Sequence, residues 1–516
     1  MSEEKVSRRK YVAYAGAGVV IVAAAAAGGY YATRKPATPT PTAPATPTPT
    51  PTAPATPTPK PTPTPTPAKK DVVTWGIWSW GVELVNDNAR IFMEYNPDIE
   101  VKIADYGLDT YASALNTAVV GGNPPDQAYM TPDIVITYQN AGQALDMEDY
   151  FPEIRKYMDD VIEGYRSALI NPFTGKMYGL FYYSGGQTFV YNKRHLEEAG
   201  IGDQPPKTWD ELIDQCKKIQ KAGVKQAGGE GAKVDYPLGF FAGSWGFVEC
   251  AIYDTLLALT EKKEGPFLFD EDLNPIFNEP NSDLMKAIKA VGEAIWVHKV
   301  STPACIEYAE AKTVDVTGSG VHSFIWEPDY ELAFINPPGT SKEAGNLKFA
   351  VNLGHGRISA IYRTYLAFKG SADKSPEHLE NVWRLMQFTG GKTTNGKPDI
   401  ANGKYFVVKR LAMDAGLAFP YKSLWEDKEV MDSMRKWCDP EARKQALSLV
   451  YDFFNDPKMT PWWDPWFGYW LAGVVRPKIH SIWLGEHGKP ADDKYILSVL
   501  NEIANEWTRM KKEAGW

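Results

Sequence analysis

From residue 71 onward, the chain alternates between two hydrophobic patterns. Segments rich in β-branched and aromatic residues, which are typical of strands, occupy residues 71–77, 99–106 and 126–130. Segments with apolar residues at helical spacing follow the first two of these and occupy residues 82–95 and 111–122. This alternation of strands with helices predicts an α/β fold with largely parallel sheets.

Helix boundaries are also clear further along the chain. Residues 208–223 begin with a capping box at Thr208 and end at a glycine, which predicts one complete helix. Cys216 lies on the apolar face of that helix and is therefore predicted to be a small core residue. Proline at the first helical position opens two more predicted helices, at residues 375–388 and 439–454.

The N-terminal region has a different character. Residues 1–35 contain an uncharged run, residues 11–33, that is long enough to span a bilayer and is preceded by basic residues. This pattern fits either a cleaved signal peptide or a retained membrane anchor. Residues 36–70 are dominated by proline and threonine and predict an extended, unfolded linker. A linker has a use only if the protein stays tethered, so we favour the anchor, with the body outside the cell.

Charge separates the N-terminal region from the body. Residues 1–70 have a net charge of +7, which leaves −16 for residues 71–516, since the whole chain carries −9. An acidic body argues against nucleic acid as a ligand. It fits a ligand that is neutral or positively charged.

Catalytic and metal-binding motifs are incomplete in this sequence. The "GGKTT" at residues 390–394 lacks the first glycine of a phosphate-binding loop, and the loop that begins at Asp270 has proline where a calcium loop needs glycine. The four cysteines match no zinc spacing, although an exported protein can form one or two disulfides from them. We therefore expect no catalytic residues, no metal and no cofactor.

Four stretches of the body carry a family resemblance: "VVTWGIWSWG", "NPPDQAYMTPD", "GKMYGLFYYSGGQTFVYNKRHLEEAGIGDQPPKTWDELIDQCKKI" and "FDEDLNPIFNEPNSDLMKAIKAV". In these stretches the chain resembles the extracellular solute-binding proteins of ABC importers, in the maltose- and oligosaccharide-binding branch. The second half of the chain matches more loosely, and residues 225–260 and 390–430 depart from the pattern.

The resemblance implies a two-lobed α/β fold of the periplasmic-binding-protein type II class, with a ligand between the lobes. Lobe 1 would comprise residues 71–184 and 367–420, and lobe 2 residues 185–366 and 421–516. The implied function is a monomeric receptor that captures a sugar or oligosaccharide and delivers it to the permease of an ABC transporter. An extracellular carbohydrate-active enzyme and a stalked glycan-binding adhesin are the alternatives.

Aromatic side chains in loops after strands are the first candidates for sugar contacts, because ligands of α/β proteins bind at the carboxyl ends of strands. Trp78 and Trp80 meet this condition, whereas Trp75 lies within the predicted strand and should be core. The resemblance adds five contacts: Asp133, Tyr183, Trp245, Trp326 and Glu327. The alternative role for Asp133 is a helix N-cap. From a tryptophan-rich segment, either Trp463 or Trp466 should also stack on the ligand.

Overall fold

The computed structural model describes residues 70–107, 110–243, 247–451 and 470–513. Within these ranges, no helix is both long enough and apolar enough to cross a membrane. The candidate anchor and the proline-rich linker lie outside the described residues. The same holds for three predicted ligand contacts: Trp245, Trp463 and Trp466.

The first strands and helices of the body follow the predicted order closely. The elements are β1 (Asp71–Trp78), α1 (Val82–Tyr95), β2 (Ile99–Tyr106), α2 (Tyr111–Val120), β3 (Gln127–Met130) and α3 (Pro132–Asn140). Strand β1 lies between β2 and β3 and runs parallel to both. Trp75 is 1 % exposed within β1, so its predicted core position is confirmed.

A long strand then leads from one half of the molecule to the other. This strand is β4 (Phe181–Asn192), and all of its residues are buried. It is followed by α4 (Lys193–Glu198) and α5 (Trp209–Ala222). The N-cap predicted for α5 is confirmed, because the Thr208 hydroxyl accepts a hydrogen bond from the Glu211 amide at 3.2 Å. The Glu211 carboxylate accepts in turn from the Lys207 amide at 2.8 Å, one residue before the position that a capping box uses. Cys216 is fully buried on the inner face of this helix, as predicted.

The middle of the chain adds helices and three further strands. They are α6 (Thr255–Leu259), α7 (Asp283–Trp296), α8 (Glu310–Gly318), β5 (Phe324–Pro328), α9 (Leu332–Ile335), β6 (Leu347–Ala350) and β7 (Ile358–Ala367). A π-helix, Phe247–Asp254, precedes α6.

The last third of the chain is mainly helical. It comprises α10 (Lys369–Lys374), α11 (Pro376–Gly390), β8 (Thr393–Thr394), β9 (Lys397–Pro398), α12 (Phe406–Ala415), α13 (Lys428–Met434), α14 (Pro440–Leu447), β10 (Val450–Tyr451), α15 (Arg476–Trp483) and α16 (Asp493–Glu513). The predicted helix over residues 439–454 was too long. Helix α14 stops at Leu447 because the chain then pairs with β7 as strand β10.

One mixed sheet connects the two halves of the molecule. Its order is β2-β1-β3-β7-β4-β5, with β6 added beside β4 and β10 beside β7. Among the described strands, the parallel pairs involve β1, β2, β3, β7 and β10, whereas β4 is antiparallel to all of its partners. The expectation of a largely parallel sheet was therefore wrong. Strands that cross between the two halves run in both directions and pair antiparallel.

Two large hydrophobic cores lie on either side of these crossing strands. The first surrounds β1, β7 and α11, and the second surrounds α5, α7 and α16. This arrangement confirms two α/β lobes joined by crossing strands. The residue boundaries predicted for the lobes remain predictions, and α13 and α14, which were assigned to lobe 2, contribute side chains to the first core.

Candidate ligand-binding site

Aromatic side chains gather where β1 and β3 end. Trp78 is the last residue of β1 and is half-buried. Its ring meets three tyrosine rings edge-on, with centroid distances of 5.4 Å to Tyr111, 4.6 Å to Tyr129 and 5.9 Å to Tyr182. Edge-to-face contacts of this kind are favourable and hold the rings in fixed orientations. We call these four residues the aromatic wall.

The aromatic wall is held in place from behind. The rings of Tyr129 and Tyr182 stack at 4.1 Å, and the Tyr111 hydroxyl donates a hydrogen bond to the Tyr129 carbonyl oxygen at 2.7 Å. Burial raises the pKa of Tyr129 and the pKa of Tyr182, so both phenols stay neutral. The three tyrosines are buried, whereas Trp78 keeps an exposed portion. The wall therefore presents an uncharged, largely apolar surface through Trp78.

A chain of contacts leads from the aromatic wall across β4 towards the second lobe. The ring of Tyr182 lies 5.5 Å from that of Tyr183, which lies 6.0 Å from that of Tyr330. The guanidinium of Arg363, on β7, lies 5.8 Å from the centre of the Tyr183 ring. The Tyr330 hydroxyl donates a hydrogen bond to Glu310 at 2.8 Å. These side chains bring a carboxyl, a guanidinium and a phenol close to the crossing strands.

The sequence did not predict Glu310, Tyr330 or Arg363 as site residues. They come from α8, from the turn after β5 and from β7, and no local motif links them. Tyr183, which was predicted, is 6 % exposed and lies among them. These residues supply hydrogen-bonding groups next to aromatic surface, which is the combination that a sugar requires.

Buried carboxyl groups extend from Glu310 into the second lobe. The Thr313 hydroxyl donates to Glu331 at 3.1 Å, and the Thr317 hydroxyl donates to Glu327 at 2.8 Å. Positions 310, 313 and 317 share one face of α8 because they follow helical spacing. We call the whole group the acidic seam, and it consists of Glu310, Thr313, Thr317, Glu327, Tyr330 and Glu331.

The carboxyls of the acidic seam have raised pKa values. Burial raises the pKa of Glu327 to about 8. Burial, and then the neighbouring charge of Glu327, raise the pKa of Glu331 well above its usual range. Two neighbouring carboxyls in a buried site do not both ionise readily, which is why the charge of Glu327 adds to the raised pKa of Glu331. Burial also raises the pKa of Glu310, although the hydrogen bond from Tyr330 and the charge of Arg363 oppose this shift.

Trp326 and Glu327 do not occupy the positions expected from the sequence. Trp326 is 0 % exposed, packs against Phe189 at 4.8 Å and donates its indole N–H to Asn352 at 2.8 Å. It belongs to the second core, so its prediction as a ligand contact is corrected. Glu327 is also 0 % exposed and faces α8 instead of solvent, because neighbouring residues of β5 point to opposite sides.

The remaining predicted contacts lie near the end of β1 and the end of β3. Trp80 is half-buried and packs against the first core in the turn that precedes α1. Asp133 is the second residue of α3, and Thr131 holds the N-cap position that was the alternative role for Asp133. The side chain of Asp133 lies outside the described part of the structure. Both residues adjoin strands that end beside Trp78, and their contact with a ligand stays a prediction.

The described side chains were compared with the motifs for metal and phosphate binding that the sequence contains in incomplete form. They contain no group of three His, Cys, Asp or Glu residues that could hold a metal ion. Cys216, Cys305 and Cys438 are free thiols. The "GGKTT" sequence spans the end of α11 and strand β8. It therefore does not form the strand–loop–helix unit of a phosphate-binding loop.

The family resemblance is confirmed over part of the chain. Residues 81–284 match the family model described as bacterial extracellular solute-binding protein. An arabinooligosaccharide-binding protein of Halalkalibacterium halodurans is 22 % identical over 348 residues, which cover 62 % of this chain and 70 % of that protein. The sn-glycerol-3-phosphate-binding protein UgpB of Salmonella typhimurium is 28 % identical over 158 residues, which cover 27 % of this chain. These relatives are binding proteins.

The chain matches only a minor part of some of these relatives. It spans 33 % of the Salmonella protein and 38 % of a binding protein from Brucella abortus. Solved structures give wider coverage. The maltose-bound MalE3 of T. maritima has a TM-score of 0.63 and 18 % identity, covering 84 % of this chain and 98 % of that one. A cycloalternan complex of a Listeria monocytogenes ABC substrate-binding protein has a TM-score of 0.62 and 16 % identity, covering 85 % and 100 %. These likenesses confirm the two-lobed fold.

Proposed function

We propose that this protein is the extracellular substrate-binding receptor of an ABC transporter, with a neutral sugar or oligosaccharide as its ligand. The observation that carries the proposal is the aromatic wall at the ends of β1 and β3, in a chain whose residues 81–284 match a solute-binding family. A sugar ring would lie on the exposed part of Trp78, and its hydroxyls would bond to polar groups near Glu310 and Arg363.

The proposed site keeps most of the residues that the sequence predicted. Trp78, Trp80, Asp133 and Tyr183 would contact the ligand from the first lobe and from β4. Trp245, and either Trp463 or Trp466, are the other predicted contacts that the proposal keeps. The acidic body, with −16 over residues 71–516, supports a neutral ligand over an anionic one.

The proposal includes delivery of the ligand to a permease and tethering of the body by residues 11–33. The receptor would bind its ligand as a monomer and perform no chemistry. Mass spectrometry of the mature protein tests the tether. Chains that retain residues 11–33 support it, and chains that begin beyond residue 31 show that the segment is removed.

One incubation separates the receptor from a carbohydrate-active enzyme. The full chain is mixed with maltotriose and, separately, with arabino-oligosaccharides. Binding is followed by calorimetry and products by chromatography. Stoichiometric binding without new products supports the receptor, whereas turnover supports the enzyme. An uptake defect after loss of the protein would separate a transport receptor from an adhesin.

A further inference from the structure

Strand β4 exchanges its partners in the middle of its length. Its first half pairs with β7 as far as Gly186, and its second half pairs with β5 from Gln187 onward. Strand β6 takes the place of β7 on the same edge of β4 from Phe189 onward. The point at which β4 passes from one lobe to the other therefore lies at Gly185, Gly186 and Gln187.

Asp329 forms two hydrogen bonds with the backbone of β4 at this point. Its amide donates to the Gly186 carbonyl oxygen at 3.1 Å, and its carboxylate accepts from the Gly186 amide at 3.3 Å. The approach is so close that a Cβ on Gly185 would lie 2.1 Å from the Asp329 carboxylate oxygen. The Tyr165 hydroxyl also donates to the Gly185 carbonyl oxygen at 2.7 Å. Glycine is needed at position 185 because the carboxylate occupies the space of a side chain.

Arg443 ties Asp329 to α14. The Arg443 Nε donates to the Asp329 carboxylate at 2.9 Å, and Nη2 donates to the same carboxylate. Nη2 also donates to the Gly416 carbonyl oxygen at 2.7 Å. The guanidinium lies 4.8 Å from the centre of the Trp437 ring. Both charged side chains are at most 1 % exposed. Two buried charges are costly to desolvate, so this pair is weak evidence for stability and better evidence for a specific geometry.

We propose that Asp329 and Arg443 are positioning residues that fix the angle of β4 at Gly185–Gly186 and thereby restrict the range of orientations between the two lobes. The pair joins three parts of the chain that meet at the crossing: β4, the turn after β5 and α14. A second ion pair, Arg194–Glu343, lies within the second lobe and away from the crossing, with Glu343 buried and Arg194 half-buried. It serves as a matched control.

The test measures the distance between the lobes without any ligand, so its failure is independent of the proposed function. Nitroxide labels are attached through unnatural keto residues at exposed Glu94 of α1 and Lys217 of α5, which leaves the native cysteines untouched. Distance distributions are recorded by double electron–electron resonance for the parent chain, for Arg443→Met and for Arg194→Met. We expect a broader distribution for Arg443→Met and an unchanged one for Arg194→Met, although both variants should melt at lower temperature.

Arg443→Met leaves the buried Asp329 carboxylate unpaired, and this cost could prevent the variant from folding. A second variant covers that case. The double variant D329N/R443M removes both charges and keeps an amide oxygen that can accept from the Gly186 amide. It should also broaden the distribution relative to the parent. A distribution as narrow as that of the parent, in whichever of the two variants folds, would overturn the proposal.

Discussion

The aromatic wall and the acidic seam are built from different kinds of side chain. The aromatic wall consists of one tryptophan and three neutral phenols around Trp78. The acidic seam contains Glu310, Glu327 and Glu331, whose pKa values burial raises. The wall can contact a ligand without any change of charge in the physiological pH range. Glu327 and Glu331 are neutral only while they keep their protons, so the two regions should respond differently to pH.

Replacing a fully buried tryptophan should lower the free energy of unfolding more than replacing a partly exposed one, and this is the largest effect that we expect. Trp326 fills the second core and Trp78 keeps an exposed portion, so Trp326→Ala leaves a cavity that solvent cannot enter. Trp326→Ala should lower the free energy of unfolding by about 3–5 kcal/mol. Trp78→Ala should lower it by less. Urea unfolding followed by circular dichroism measures both values, and equal losses would mean that Trp78 is as much a core residue as Trp326.

The acidic seam should make the body less stable as pH rises. Because the folded pKa of Glu327 is raised to about 8, its contribution is fully present below the unfolded pKa and is lost as pH rises through about 8. Glu327→Gln cannot ionise and keeps that contribution. The free energy of unfolding of the variant, relative to that of the parent, should therefore increase between pH 5 and pH 9 by an amount on the order of 2–4 kcal/mol.

Thermal unfolding across this pH range measures the gain. Exposed Glu279→Gln, also in the second lobe, is the matched control and should follow the parent at every pH. A constant difference between Glu327→Gln and the parent would show that Glu327 does not titrate in this range.

A third cluster, in the first lobe, differs from the acidic seam because its carboxylates are ionised. His378 bonds to Asp71 at 2.8 Å and to Asp126 at 2.9 Å, and Lys374 donates to Asp126 at 2.7 Å. Burial opposes ionisation of Asp126, but the hydrogen bonds from His378 and Lys374 lower its pKa to about 2. The hydrogen bond to Asp126 raises the pKa of His378. The cluster fastens the first residue of β1 to α11.

Removing His378 should have a smaller effect, with a defined pH dependence. Since the folded pKa of His378 is raised, its contribution is fully present below the unfolded pKa of about 6.5 and is lost as pH rises through the folded value. His378→Gln should cost about 1–2 kcal/mol at pH 5.5 and less at pH 9. Denaturant unfolding at the two pH values measures both costs. A larger cost at pH 9 would mean that the neutral imidazole is the stabilising form.

Much of the first lobe could be predicted from the sequence because local signals coincide with the final structure. The apolar periods of β1, α1 and β2 are separated by glycine and proline, and their observed limits agree with the prediction. Helix α14 was predicted too long because its pattern continues past Leu447. Pairing of β10 with β7 overrides that pattern, and pairing between distant strands leaves no local signal.

The candidate site was only partly predictable for the same reason. Trp78 follows from the end of a strand, which sequence patterns reveal. Glu310 and Arg363 lie 53 residues apart and meet only when α8 packs beside the crossing strands. Trp326 stands in a strand in which alternate residues face opposite sides, and the sequence does not reveal which side meets the second core.

Calorimetric titration of the parent and of Trp78→Ala with an oligosaccharide that the parent binds tests the central claim most directly. Trp75→Phe, in the core of the same strand, is the control for indirect effects of folding. If a sugar lies on the aromatic wall, Trp78→Ala should lose about 1–3 kcal/mol of binding free energy, and Trp75→Phe should bind like the parent. Unchanged affinity in Trp78→Ala, with the variant folded, would contradict the assignment of the site to the aromatic wall.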